Sequence, residues 1–372
     1  MTKKTIFFSI RNNEYLILIF IIIFNFFIDK FYHANTFYLP KWDQGYHLSN
    51  LFSTYNSLEN FNLNSIEWWN NFWTITDSYR GPLTYIVSSF FLFIFGKNYE
   101  NSLLSNNIFS IISILCIFGI CKEIGNVKGG LWGAFIFAFN PYIFDQRVDY
   151  LIDISQVCFI NLNFYILLKF FKAKGGLFLS FLAGITSGFV FLTKPTGILF
   201  LLLPYSYTFL YLLKKVRFIK NLIIYIFILI TSFLIIIWPW FSINWITIFT
   251  SILNSWQWGI KYQEGMEANT LEGIIFYPKI IFRLIGPYIL GSILVISSID
   301  FYKKLGTNRF YLKEFNILFN KYIFLILLPI NILIICTLMS TKDLRFILPI
   351  FPSLCTLSGL FISYLKKYYW AP

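Results

Sequence analysis

Charge is what this 372-residue chain has least of. Only 13% of its positions are Asp, Glu, Lys or Arg, about half the share of a soluble domain. Histidine occurs twice, as His33 and His47, which excludes a His-rich metal site. The five cysteines (Cys116, Cys121, Cys158, Cys336 and Cys355) form no Cys-x-x-Cys pair and fall in or beside apolar runs. That placement suits small buried residues better than a disulfide framework or a metal cluster. No Gly-rich phosphate loop of the Walker or dinucleotide type is present, and no serine stands in a Gly-x-Ser-x-Gly elbow. Nucleotide hydrolysis and serine-hydrolase chemistry therefore have no footing. The residues name no cofactor, and a divalent metal is left open.

What fills the chain is apolar. Hydrophobic residues make up 57% and aromatic residues 22%, with mean hydropathy +0.66. That is the composition of an all-α polytopic membrane protein. A spanning helix needs about 20 mainly apolar residues. Such runs fall at 13–32, 102–121, 129–145, 152–171, 176–193, 196–213, 219–240, 278–299, 321–339 and 346–364, ten expected spans that leave both termini on one side. Lys3 and Lys4 precede the first run without a small-residue cleavage site, so it reads as a retained helix and not a removed signal. A single transmembrane domain over 1–372 is expected.

The segment 82–96 is apolar but short, bounded by Gly81-Pro82 and Gly96. The positive-inside rule decides its place. If it lies against the interface, 19 of the 30 basic residues fall on the N-terminal side with only four of the 17 acids, and the opposite side is slightly acidic. If it spans, the basic loops 214–220 and 303–321 turn outward. It is therefore expected as a juxtamembrane helix, and the net charge of +13 reports topology, not nucleic-acid binding. The outer face then carries two long loops, 33–101 with Trp42, Trp68, Trp69 and Trp73, and 241–277 with Trp245, Trp256 and Trp258. Tryptophans at that density suit helices at headgroup level. The inner loops are too short for a nucleotide-binding domain.

With this topology, charge gathers at the outer helix ends. Asp43 follows the first span in Trp42-Asp43-Gln44-Gly45-Tyr46-His47, and Arg80 precedes the juxtamembrane helix. Arg147, Asp149 and Asp153 join the third span to the fourth, Lys194 caps the fifth, and Lys342, Asp343 and Arg345 precede the tenth. Ionisable groups near membrane depth are costly and usually functional. Asp43 is placed to accept a proton, or is a solvated loop acid. Asp149 and Asp153, four apart, would share a helical face, and Arg147 would either bridge to one of them or help bind an acceptor. Lys194 would snorkel, or hold a phosphate as a point charge. Arg345 offers a bidentate fork for a phosphate, or is neutralised by Asp343. Arg80 is a third phosphate candidate, and Trp42, Gln44, Tyr46 and His47 form a hydrogen-bonding aromatic cluster fit for a sugar.

The order of these features resembles the polytopic glycosyltransferases of the GT-C type. Within that type it is most similar to the branch of protein O-mannosyltransferases, lipid A aminoarabinose transferases and lipopolysaccharide sugar transferases. The resemblance rests on Asp43 opening the first outer loop, on Gly81-Pro82-Leu83-Thr84-Tyr85 ending in Phe95-Gly96, and on Arg147 to Asp153. It rests also on the Gly-rich segment 184–194 ending in Thr193-Lys194 and on Arg345-Phe346-Ile347-Leu348-Pro349-Ile350-Phe351-Pro352. Gln44 stands where the family has an acid, and Gly81 where it has a first proline.

The resemblance implies a sugar moved from a polyprenyl-phosphate carrier to a cell-envelope acceptor, with inversion, on the outer face of a bacterial inner membrane. Asp43 would be the catalytic acid or base and Asp153, with Asp149, the second acidic site. Lys194, Arg345 and Arg80 would meet the donor phosphate. Trp42, Gln44, Tyr46, His47 and Arg147 would line the acceptor or sugar site. The alternative is a transporter or flippase, which calls for charge or broken helices near the midplane.

Overall fold

The structure, a computed structural model, describes residues 3–36, 40–76, 79–216, 218–261, 265–285 and 312–369. Among them the regular elements are helical, with one isolated bridge between Gly265 and Thr341. Helix α1 (Lys3–Asn35) is followed by α2 (Trp42–Glu59), α3 (Ile66–Ile75), α4 (Leu83–Phe95) and α5 (Tyr99–Ser102), so the first long loop is itself mostly helix. Then come α6 (Leu104–Ile124), α7 (Val127–Ala138), α8 (Pro141–Val148), α9 (Asp153–Lys172) and α10 (Leu177–Thr193). A 3-10 turn (Pro195–Leu201) leads into α11 (Leu202–Lys215), followed by α12 (Ile219–Lys261) and α13 (Leu271–Ile285). The chain closes with α14 (Leu312–Leu338), a second 3-10 turn (Leu344–Ile350) and α15 (Phe351–Tyr369).

Six segments are long and apolar enough to cross a membrane: Asn13–Asn35, Tyr99–Ile124, Asp153–Lys172, Pro195–Lys215, Ile219–Asn254 and Leu344–Ser363. Four shorter apolar helices accompany them, Leu83–Phe95, Val127–Ala138, Leu177–Thr193 and Ile323–Leu338. This is a multi-pass membrane protein. Leu16, Phe20, Phe27 and Phe31 on α1 and Phe227, Ile235 and Trp238 on α12 are exposed. That is what lipid, not water, favours.

Several expected boundaries are corrected. The run 129–145 is not one helix: α7 ends at Ala138, and Asn140 caps α8 by accepting from the backbone N–H groups of Tyr142 and Ile143, with Pro141 in the first turn. An Asn-Pro pair restarts a helix because the amide side chain takes the orphan donors and Pro needs none. The run 219–240 continues through Pro239 to Lys261, so the expected loop 241–277 begins as helix. At 1.5 Å per residue α12 is about 65 Å long, roughly twice the hydrocarbon thickness. The expected span 278–299 beyond residue 285, the loop residues 303–311 and Glu264 lie outside the described residues.

The packed centre is built from α6, α7, α9, α14 and α15. Phe109, Ile114, Ile117, Val157, Cys158, Phe164, Leu328 and Ile347 are buried there, and so are all five cysteines, which are free. Helix α1 is joined to this core by polar groups. Asp29 receives a two-pronged bond from Arg147 on α8, at 2.5 Å from Nε and 2.7 Å from Nη2. Arg147 Nη1 and Asn25 Nδ2 both donate to the Ala138 carbonyl. Ser110 on α6 donates to Asn25 Oδ1. Side-chain exposure is 1% at Arg147 and 2% at Asp29, so the pair is sealed from solvent.

Candidate active site

One cavity of about 350 Å³ opens among the ends of α2, α9, α10 and α14, the side of α12 and the two 3-10 turns, and its lining includes Asp43, His47, Arg80, Asp153, Lys194 and Arg345. Asp43, Asp153 and Lys194 are delivered by helix ends, and Arg80 by the connection between α3 and α4. Asp43 sits in the first turn of α2, where a carboxylate also favours the positive end of the helix. Asp153 opens α9, and Lys194 follows the last residue of α10 in extended conformation before Pro195. Asp343 caps the second 3-10 turn by accepting from the Arg345 backbone N–H. Asp343 thus serves two ends: it satisfies an orphan N–H group of the turn and sets a charge at the cavity.

The charges are paired. Arg345 Nη1 lies 2.7 Å from Asp43 Oδ2, while its Nε and Nη2 reach Asp343 Oδ2 at 2.9 and 2.6 Å. Arg345 therefore joins two carboxylates 300 residues apart in sequence. Burial alone would raise the Asp43 carboxyl, but the Arg345 hydrogen bond and charge, with Arg80 behind them, hold it below the usual range. Asp343 is likewise lowered, burial being outweighed by Arg345. Lys194 Nζ is a looser partner, 3.4 Å from Asp153 Oδ1 and 4.5 Å above the Phe346 ring.

His47 holds the third cation. Arg80 Nη1 is 2.9 Å from its Nε2, and its Nδ1 is 2.7 Å from the Tyr85 hydroxyl. An arginine only donates, so Nε2 must be the bare acceptor and Nδ1 must carry the proton. Burial, then the Arg80 charge, lowers His47 to about 3, which keeps the ring neutral at physiological pH. Arg80 is further flanked by the rings of Tyr46 and Tyr79 at 5.2 and 5.1 Å.

Not every expected residue is there. Trp42 points away and is 96% exposed. Gln44 is buried, accepts from the Lys41 backbone N–H and hydrogen-bonds the Asp149 carboxylate. Tyr46 contributes through Arg80. Asp149 and Asp153 do not share a helical face, because α8 ends at Val148 and α9 starts at Asp153. Asp149 lines a separate cleft with Tyr32, His33 and Glu100, and burial, with Asp145 nearby, raises its carboxyl. Arg147 bridges neither of them: it is committed to Asp29. Sequence reasoning missed Gln156, which lines the cavity one turn beyond Asp153; a neutral amide in an apolar run gives no charge signal. Among the described residues no group of three His, Cys, Asp or Glu side chains is disposed to hold a metal.

Gly81, at the position where the resembling family has proline, has a definite cause. A Cβ there would lie 1.8 Å from the carbonyl oxygen of Leu192 near the end of α10. The backbone that carries Arg80 into the cavity lies directly on α10, and only glycine allows that approach.

These helix ends present carboxylates and cations around one cavity at the edge of an apolar bundle whose fold is similar to that of the GT-C type of polytopic membrane protein. Residues 79–243 match the family model described as dolichyl-phosphate-mannose-protein mannosyltransferase. The crystal structure of ArnT from Cupriavidus metallidurans bound to undecaprenyl phosphate superposes with TM-score 0.66 at 12% identity, covering 95% of this chain and 61% of that one. Its apo form gives 0.65 at 13%, over 97% and 61%. The Archaeoglobus fulgidus oligosaccharyltransferase in the apo form gives 0.52 at 13%, over 95% and 50%. The chain thus spans 61% or less of these relatives' length, and at such identity the likeness is one of fold. No curated protein matches the sequence.

Proposed function

We propose that the protein is a membrane glycosyltransferase that takes a sugar from a polyprenyl-phosphate carrier and passes it, with inversion, to a cell-envelope acceptor. The observation that carries this reading is the cavity itself, with Asp43 on one wall and Arg345, Lys194 and Arg80 around it. The carrier's phosphate would bind at the cations and its lipid would run out among the helices. An acceptor oxygen forms a bond to the anomeric carbon as the bond from that carbon to the phosphate oxygen breaks. The phosphate leaves with the electron pair, and the acceptor proton passes to Asp43.

Electrostatics supports these roles. Charge grows on the leaving phosphate, and fixed cations in a partly dry site stabilise it more than they stabilise the singly charged donor. Asp43 is ionised, as a base must be. Its lowered pKa makes it a weak base, suited to a hydroxyl whose proton becomes acidic only as its oxygen bonds to carbon. A phosphate that draws on Arg345 would weaken the Arg345–Asp43 pair and raise the basicity of Asp43 on donor binding. The positive-inside asymmetry supports an active site on the outer face of the bacterial inner membrane with both termini cytoplasmic.

The test is transfer from radiolabelled polyprenyl-phosphate sugars in membranes holding equal amounts of the wild type, Asp43→Asn and Lys194→Ala. Label in an acceptor with the wild type, and its loss in both variants, is expected. Equal labelling by all three membranes overturns the assignment, and carrier translocation without transfer would favour a flippase.

A further inference from the structure

Gln156 is the buried polar side chain of the cavity that nothing above employs. It lies on α9 with 1% of its surface exposed, and both its carboxamide nitrogen and its oxygen lack a hydrogen-bond partner. Buried amides are nearly always paired, and an unpaired one costs free energy. A hydrophobic residue of similar size would avoid that cost, so the amide calls for a bound group that completes it. It faces the cavity and stands one helical turn beyond Asp153, the partner of Lys194.

The neighbouring turn makes room for it. A Cβ on Gly197 would lie 3.1 Å from Gln156 Nε2 and 2.9 Å from Val190 Cγ1. Glycine at 197, three residues after Lys194, therefore keeps the space beside the amide clear. The unmet atoms also define what would fit. Nε2 needs an acceptor and Oε1 needs a donor. A fully ionised phosphate only accepts, and would leave Oε1 unmet. A sugar hydroxyl both donates and accepts, and two neighbouring hydroxyls match the two ends of a carboxamide at once.

We infer that Gln156 is a specificity residue that reads the hydroxyls of the donor's sugar ring beside the phosphate cations. The inference rests on the glycosyltransferase reading and adds to it where in the cavity the sugar lies. A site built to hydrogen-bond a hydroxyl discriminates strongly, because an analogue without it leaves the site's own polar atoms unpaired.

The test measures binding of the purified full chain in nanodiscs to undecaprenyl phosphate alone. The same measurement is made with undecaprenyl phosphate linked to glucose, mannose, galactose or arabinose, for wild type, Gln156→Leu and Gly197→Ala. The wild type is expected to hold at least one sugar-bearing lipid about tenfold or more tighter than the bare carrier, a step of about 1.4 kcal/mol. Gln156→Leu should erase that increment while its affinity for the bare carrier stays within about twofold, and Gly197→Ala should reduce it by crowding the amide. Three results overturn the inference: an increment intact in both variants, an equal loss toward the bare carrier, or a wild type indifferent to the sugar. A wild type that fails to bind undecaprenyl phosphate at all overturns the donor reading itself, a separate outcome.

Discussion

Arg147 offers the sharpest separation of scaffold from chemistry. Its guanidinium and the Asp29 carboxylate form two short bonds while almost wholly buried. Removing one partner leaves a charge in a low-dielectric interior, which costs about 3–5 kcal/mol, whereas replacing both by apolar groups of like volume is often neutral or better. Arg147→Met alone strands the carboxylate and also frees the Ala138 carbonyl of one of its two donors. Asp29→Leu alone strands the guanidinium. Each single variant should lose about 3–5 kcal/mol, and the double variant should recover most of it, giving a coupling energy of about 5 kcal/mol or more. Chemical-denaturant unfolding in detergent measures the cycle, and sugar transfer by the refolded double variant completes it. Full recovery of stability with near-normal transfer makes Arg147 a tie between α1 and the core. Single losses below about 1 kcal/mol, or recovered stability with transfer still absent, would refute that and return Arg147 to the acceptor site.

The other predictions concern the cavity and its walls. His47 has a folded pKa of about 3, below its unfolded value. Its contribution to stability is therefore complete above about pH 6.5 and is lost as pH falls from there toward 3, by up to about 1.4 kcal/mol per pH unit. Melting curves at pH 7 and 4.5 should show wild type losing more than His47→Gln; equal losses would mean the ring already titrates freely. Gly81→Ala should destabilise by about 1–3 kcal/mol through overpacking against Leu192, read as a lowered melting temperature. A neutral result there would show that the close approach is relaxed in solution. Gln44→Glu sets a second carboxylate against Asp149 in place of a donor. It should lower stability at neutral pH and much less at pH 4, where one of the pair can keep a proton. Asp343→Asn removes one of the two anchors of Arg345 and should reduce transfer more than about tenfold with the fold retained.

The residues that converge on the cavity were visible in the sequence because they are charges at the ends of apolar runs. Asp43, Lys194 and Arg345 could be found without knowing how the helices pack, since lipid leaves few places where a charge can stay. What required three dimensions was partnership. Arg147 looked like a companion to Asp149 and Asp153 because it is near them in sequence. Its partner is Asp29, 118 positions away. Asp149 and Asp153 seemed to share a face because the break at 149–152 lacks Gly and Pro. The α7–α8 break did carry a signal in Asn140-Pro141, but mean hydropathy over the window hid it. The expected end at 240 failed in the opposite direction, since α12 runs on through Pro239 to Lys261.

The pairing of Asp43 with Arg345 has a consequence for how such a protein comes into being. One partner leaves the ribosome with α2, the other 300 residues later, just ahead of α15. Until the segment around Arg345 is threaded into the bilayer, the cavity has neither its Asp43–Arg345 bridge nor Phe346 in its lining. Any chemistry that needs both groups is silent throughout synthesis and insertion. A chain stalled or clipped ahead of residue 345 would still seat most of the preceding helices in the membrane yet lack that bridge, so any chemistry that uses it begins only once the second 3-10 turn is in place.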